Sequence, residues 1–361
     1  MQKQYYFFIG TTAEYIKLAP VISNFKHKKV PFKIISSGQT EIDFKMLQKY
    51  TGKVSADIKF LPKTPQSSVL YFAGWAIRTL IFGLYALRKE YKKNDTKQIV
   101  LVHGDTVSSL LGALIAKIYR LRLVHIESGL RSFKVLEPFP EELCRYAISS
   151  IADIHFCPNK WSVNNLKNKK GLKINTNQNT LIETYNWVIK DIDKKNRKVK
   201  GKYFVLVFHR QEHVIFGKAK GRKILQEILK NINTDMKCVF MVHDISRDFV
   251  DSIGINTKDV IFQKRMKYKD FLELIYHSEF MITDGGSNQE ELYYMGKPCL
   301  VLRNVTERIE GIGKNVVISK NSVKKISNFI RNYKTYRRNK VEINLKNKPS
   351  KIVYNFLNSL K

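Results

Sequence analysis

Cysteine is scarce in this chain. There are four, at 144, 157, 238 and 299, and none stands in a CxxC spacing. They read as small buried hydrophobes in a reducing compartment rather than as a metal or redox motif. Neither a GxGxxG dinucleotide fingerprint nor a Walker phosphate loop occurs, which argues against nicotinamide and ATP chemistry. No internal repeat and no RNA- or DNA-binding module is legible. No secretory signal is visible either: residues 5–10 form a short apolar run that reads as a first strand, and a cytoplasmic location is expected.

Long apolar runs are also few. The single run of membrane length is Val69–Leu87, and Arg78 stands near its centre. An arginine there costs roughly 2.5–3.5 kcal/mol on insertion scales. The run therefore reads as a long helix of the core or of a subunit interface. A second reading makes it a membrane-surface helix, since Trp75, Phe82 and Tyr85 lead into Arg88, Lys89, Lys92 and Lys93. That reading would bring the protein to the inner face of an anionic membrane.

Acidic residues are outnumbered: 31 Asp and Glu face 64 Lys and Arg in 361 residues, a formal charge of +33. Such a surface attracts polyanions, anionic membranes or phosphorylated ligands, although a lysine-rich solvated surface accounts for it equally well. Hydrophobic residues make up 43% of the chain, enough for real cores. The length suits two domains.

Strand and helix patterns alternate. Apolar runs at 5–10, 32–36, 99–102, 123–125 and 154–157 read as strands of the first half, and those at 203–208, 238–242, 280–283 and 299–302 as strands of the second. The expected class is α/β, with two Rossmann-like, doubly wound domains and a cleft between their strand ends. Hydrophilic stretches at 167–171 and at 191–202 place the junction, and residues 1–170 are expected as one domain and 171–361 as the other, ending in a basic helical tail.

The few acids gather where strands end, and that is where open α/β sheets bind ligands. His103-Gly104-Asp105-Thr106 closes one strand, and His125-Ile126-Glu127-Ser128-Gly129-Leu130-Arg131 closes its neighbour. An aspartate after a sharp glycine turn also serves as a helix cap, so either carboxylate alone has a structural explanation. Two on adjacent strand ends point to chemistry. Pro138-Phe139-Pro140-Glu141-Glu142 opens a helix, and Arg145 stands four residues beyond Glu141, as an i,i+4 pair or as a brace for a catalytic acid. His209-Arg210-Gln211-Glu212 ends another strand, where a histidine and an arginine suit a phosphate or a developing negative charge. His243 follows the next strand. Asp284-Gly285-Gly286-Ser287-Asn288-Gln289-Glu290-Glu291 lies between a strand and a helix, and its glycines permit close approach of a diphosphate to backbone amides. Gly10-Thr11-Thr12-Ala13-Glu14 opens the first helix, and Thr306-Glu307-Arg308-Ile309-Glu310-Gly311 follows the last clear strand.

In this order these blocks resemble the non-hydrolysing UDP-N-acetylglucosamine 2-epimerases, from about residue 10 to about residue 317. The resemblance implies a fold like that of GT-B glycosyltransferases and a homodimer. It implies a UDP-sugar substrate whose nucleotide lies mainly on the second domain. Gly285, Gly286 and Ser287 would hold the diphosphate, Glu291 the ribose, and Phe271 would pack on the uracil. Asp105, Glu127 and Glu141 match the family's catalytic carboxylates and His209 its catalytic-site histidine. Lys17, Arg145 and His243 match further cleft positions, and the place of Arg308 after a strand end suggests a cleft contact, although the alternating charges around it also suit a solvated loop. The implied reaction eliminates UDP to a glycal and adds it back with carbon 2 inverted, with carboxylates moving the proton. It needs no metal and no redox cofactor.

The chain departs from the pattern in places. Thr12 replaces an arginine. HRREN reads His209-Arg210-Gln211-Glu212-His213, and DSGG reads Asp284-Gly285-Gly286-Ser287. Gly38-Gln39-Thr40-Glu41 stands where bacterial members show Gln-His-Arg at an activating substrate site. Three other readings stay open on the sequence: a membrane-associated glycosyltransferase on the same fold, a hydrolysing 2-epimerase, and a nucleic-acid binder. The retained acids argue against the last, and no nucleic-acid partner is expected.

Overall fold

The computed structural model describes residues 3–61, 69–195, 197–214, 217–232, 236–242, 249–252 and 260–360. The chain forms two compact units, one of Met1–Tyr185 with Asn344–Lys361 and one of Asn186–Ile343.

The first unit is built on seven parallel strands: β1 (Gln4–Ile9), β2 (Phe32–Ser36), β3 (Ile58–Lys59), β4 (Gln98–His103), β5 (Arg122–Ile126), β6 (Ile154–Cys157) and β7 (Leu172–Asn175). Their order is β3-β2-β1-β4-β5-β6-β7. The central strands are continuous apolar runs because helices cover both faces of a parallel sheet. Helices α1 (Thr12–His27), α2 (Gln48–Thr51), α3 (Val69–Leu87), α4 (Val107–Ile118), α5 (Glu141–Ile151), α6 (Lys160–Asn164) and α7 (Leu181–Asp191) make the crossovers. The chain winds one way from β1 to β3 and the other from β4 to β7. The switch therefore falls between β1 and β4.

The second unit carries β8 (Lys202–Val207), β9 (Met236–Val242), β10 (Val260–Lys264), β11 (Met281–Thr283), β12 (Cys299–Val301) and β13 (Val316–Ile318), parallel, in the order β10-β9-β8-β11-β12-β13. Its described helices are α8 (Gln211–Val214), α9 (Lys218–Lys230), α10 (Tyr268–His277), α11 (Gly286–Met295) and α12 (Val323–Asn332). The switch lies between β8 and β11.

The unit boundary differs from the expected 170/171. The polar stretch at 167–171 is only the turn before β7, an edge strand that pairs with β6. The expected tail also divides. The last helix, α13 (Pro349–Ser359), belongs to the first unit. Ser350 donates to Glu183 through its amide and its hydroxyl, both at 2.7 Å. Tyr354 meets the Phe25 ring edge-on at 5.5 Å, and the Tyr5 hydroxyl donates to the Leu357 carbonyl.

All four cysteines are buried and free, and burial pushes the Cys144 and Cys157 thiols up to about 12. They act as small core hydrophobes. Helix α3 buries Trp75 but leaves Tyr71, Ile77, Ile81 and Tyr85 60 to 63% exposed. Among the described residues no helix is long and apolar enough to cross a membrane.

Candidate active site

In the first unit the turn after β4 is tight because Gly104 takes φ +65°. Thr106, not Asp105, caps α4: its side chain accepts from the Ser109 amide at 3.0 Å. Asp105 is thus free of the capping role the sequence allowed it. Its carboxylate receives the Arg145 guanidinium, which also donates to Glu142 at 2.6 Å. Glu142 is fully buried, so Arg145 is braced from the helix that presents it. Glu141 sits beside it in the first turn of α5.

One strand over, Glu127 adopts φ +62°, a conformation seldom taken by a side chain other than glycine, asparagine or aspartate. Its carboxylate is buried and gripped by Lys17 at 2.9 and 2.8 Å. The Asn179 amide donates to the same carboxylate, and His103 Nδ1 lies 3.8 Å away. Each carboxylate therefore has its own cation, supplied by a different helix.

The amides at the start of α1 do not wait for a ligand. Gly10 and Thr11 donate to Glu14 at 2.8 and 2.7 Å, and Thr11 accepts from the Glu14 amide, a capping box. Glu14 also accepts from Thr106 and Ser109 at 2.8 and 2.6 Å. Burial raises its carboxyl against the pull of those hydrogen bonds. Gly10 is required by close approach, since a Cβ there would fall 2.1 Å from the Ser108 hydroxyl. Gln39, one of the departures in sequence, accepts from the Ser108 amide and hydroxyl at 3.1 and 2.7 Å, and Thr12 donates to the Glu41 carbonyl.

In the second unit His209 follows β8 and Asp284 follows β11, the two strands that flank the switch. His209 Nδ1 lies 2.8 Å from Asp284 Oδ1. Asp284 Oδ2 accepts from the backbone amides of His209 and Arg210 at 2.7 and 2.8 Å. Complete burial would raise this carboxyl, but the charges and hydrogen bonds of His209 and His213 outweigh it and hold Asp284 well below the usual range. This pairing engages the Nδ1 side of the His209 ring. Arg210 and Arg303 both donate to the Asp284 carbonyl, at 3.1 and 2.7 Å.

Gly285 caps α11, and its amide donates to Thr283 at 2.9 Å. A Cβ on Gly286 would lie 2.5 Å from Glu307 Oε1. Ser287 is partly exposed in the first turn. Glu291 is buried and accepts from Asn288 at 3.0 Å. Arg308 is buried too; it pairs with Glu290 and lies 3.6 Å from Glu307, which holds Arg303 at 2.7 Å. Phe271 stands half-buried in the first turn of α10. His243 lies outside the described residues.

Sequence reading missed Asn179, Glu142 and Glu14 in the first unit, and His213 and Arg303 in the second. Glu14 had a signal, the Thr11-x-x-Glu14 capping box. Asn179 had none, because its loop follows an edge strand that is itself mostly polar.

The family model described as UDP-N-acetylglucosamine 2-epimerase matches residues 27–349. A Campylobacter jejuni UDP-N-acetylglucosamine 2-epimerase is 32% identical over 344 residues, covering 88% of this chain and 85% of its own. One from Bacillus subtilis is 30% identical over 84% of this chain and 79% of its own. Among solved structures, the Methanocaldococcus jannaschii UDP-GlcNAc 2-epimerase in complex with UDP-GlcNAc and UDP superposes with a TM-score of 0.82 at 24% identity, covering 98% of this chain and 99% of that one. Staphylococcus aureus MnaA, in its co-structure with UDP, also gives 0.82 at 22% identity, covering 99 and 98%. The chain belongs to the UDP-N-acetylglucosamine 2-epimerase family.

Proposed function

We infer that this chain interconverts UDP-N-acetylglucosamine and UDP-N-acetylmannosamine, supplying the latter for surface polysaccharide. The observation that carries the reading is the paired arrangement of Asp105 with Arg145 and Glu127 with Lys17 on adjacent strand ends, in a chain of this family. A carboxylate of this set, with Glu141 beside it, removes the carbon-2 proton as the carbon-1 to oxygen bond breaks and UDP departs. The products of that half-reaction are a 2-acetamidoglycal and UDP. UDP then adds back to carbon 1 while a second acid returns a proton to the opposite face of carbon 2. His209, fixed by Asp284, serves the diphosphate and its leaving oxygen, with Gly285, Gly286 and Ser287 at the head of α11. His243, Phe271 and Glu291 complete the substrate contacts, while Lys17, Arg145 and Arg308 act through the carboxylates they hold.

Proton NMR of the purified protein with UDP-N-acetylglucosamine in heavy water tests this. A second sugar signal carrying deuterium at carbon 2 is expected. Free UDP with free N-acetylmannosamine would replace the reading by a hydrolysing one, and UDP binding without exchange would replace it by a glycosyltransferase.

The exposed row Tyr71, Ile77, Ile81 and Tyr85 on α3 supports a homodimer through this helix. Light scattering should give twice the chain mass, and Ile77→Glu with Ile81→Glu should give monomers. A monomeric wild type that sediments with anionic vesicles would assign the same face to a membrane. The buried free thiols support a cytoplasmic setting.

A further inference from the structure

A line of four polar contacts crosses three strands of the first unit without entering the reaction just described. His155 Nε2 lies 3.0 Å from the Lys170 carbonyl, and His155 Nδ1 lies 3.0 Å from the Ser128 hydroxyl. The same hydroxyl lies 2.9 Å from His125 Nδ1, and His125 Nε2 lies 2.8 Å from the Gly104 carbonyl. All three side chains are completely buried. Carbonyl oxygens only accept, so each Nε2 must carry its hydrogen. In neutral rings both Nδ1 atoms are then acceptors, and the single hydrogen of Ser128 is the one donor they share. Burial keeps both rings neutral, holding His125 down at about 3 and His155 below the ordinary histidine range.

The ends of this line are informative. Gly104 precedes Asp105, and its carbonyl belongs to the peptide that carries that carboxylate. Ser128 follows Glu127, the residue held at φ +62°. The two turns also touch: a Cβ on Gly104 would lie 3.1 Å from Glu127 Oε2. The Ser128 amide donates to Phe156 on β6, and the Gly104 amide to Ile126 on β5, both at 2.9 Å. A buried polar network of this kind costs desolvation that apolar packing would not, and what it provides instead is geometric definition.

We infer that His125, Ser128 and His155 are positioning residues, a buried clamp that fixes the turns bearing Asp105 and Glu127 relative to each other. The inference rests on the epimerase reading. Ser128 is its pivot, since its hydroxyl lies within hydrogen-bond distance of both rings. It touches neither substrate nor the reacting atoms, and acts through Glu127 and the Gly104 peptide. A shift of the order of an ångström in such a carboxylate is worth about 100-fold in rate.

The test compares wild type, Ser128→Ala and Ser128→Thr for kcat, KM, carbon-2 deuterium exchange, UDP affinity and Tm. For Ser128→Ala, kcat and exchange should both fall about tenfold or more, with KM within about twofold, UDP affinity unchanged and the fold intact. Ser128→Thr keeps the hydroxyl and should recover much of the loss. Histidine nitrogen NMR should show both wild-type rings as Nε2–H tautomers, with the two Nδ1 signals moving in Ser128→Ala. Wild-type kcat in Ser128→Ala would overturn the proposal. So would a lowered Tm with unchanged kcat per folded molecule, which would make the clamp a stabilising element only. A wild type that exchanges no carbon-2 proton would overturn the epimerase reading and the inference with it, an outcome visible before any variant is made.

Discussion

Lys17 reaches both carboxylate oxygens of Glu127, at 2.9 and 2.8 Å, from the second turn of α1. The two residues are 110 positions apart, and both are buried. The contact ties the helix after β1 to the end of β5, across the switch of the first sheet. It also means that Glu127 cannot be considered apart from its cation.

Replacing Lys17 by Met should therefore do two things. A buried carboxylate left without its partner cation costs about 3–5 kcal/mol, readable as a lower urea midpoint. Turnover should fall by about 100-fold or more, while UDP affinity stays near that of wild type. Adding Glu127→Gln to Lys17→Met should restore part of the stability and none of the activity. Equal stability of wild type and Lys17→Met would show that Glu127 does not depend on this contact.

Asp105 offers a cleaner separation. Arg145 keeps Glu142 at 2.6 Å when Asp105 becomes Asn, so the guanidinium remains paired. The variant should melt within a few degrees of wild type and lose about 100-fold or more in kcat. A loss of stability in place of activity would assign Asp105 to the scaffold.

Asp284 anchors His209, and its removal should act in the second unit alone. Asp284→Asn keeps an oxygen for the amides of His209 and Arg210 but withdraws the charge facing the imidazole. Nucleotide binding and turnover should both weaken. Wild-type stability from this carboxyl is present above the ordinary aspartate value of 3.8 and is lost as the pH falls through its lower folded value. Asp284→Asn should lack that acid dependence, which denaturation at a series of pH values would reveal.

His125 sets a second acid limit. Its folded value is depressed from 6.5 to about 3, so the unfolded chain binds the extra proton first as the pH falls. The stability involved is full above pH 6.5 and lost progressively towards about 3. At roughly 1.4 kcal/mol per unit the loss is about 4–5 kcal/mol at most. His125→Gln should be less stable at neutral pH and show a shallower decline in acid. A parallel decline in both proteins would locate the acid sensitivity elsewhere.

Much of this was legible in the sequence, for identifiable reasons. Buried parallel strands are continuous apolar runs, so β1, β4, β5, β6, β8 and β9 announce themselves. Edge strands do not: β3 is two residues long, and β7 reads Leu-Lys-Ile-Asn. With β7 not legible, the turn at 167–171 reads as part of a domain junction. Asp105 and Glu127 were visible because strand ends in α/β sheets are where ligands bind. Their partners are another matter. Nothing local to Lys17 states that it will meet a residue 110 positions away. Nor does anything near residue 179 state that a loop asparagine will reach Glu127. Such pairings are made by the sheet order, and only the folded chain displays them.

The return of α13 to the first unit bears on the order in which the chain matures. The groups that receive it, Phe25, Tyr5 and Glu183, are all made before the second unit is synthesised. During translation the first unit is therefore completed only after the second, and Phe25 and Tyr5 lack their α13 partners until that helix has been made. A chain ending at residue 343 would keep the whole second unit, yet leave the older half of the molecule without α13.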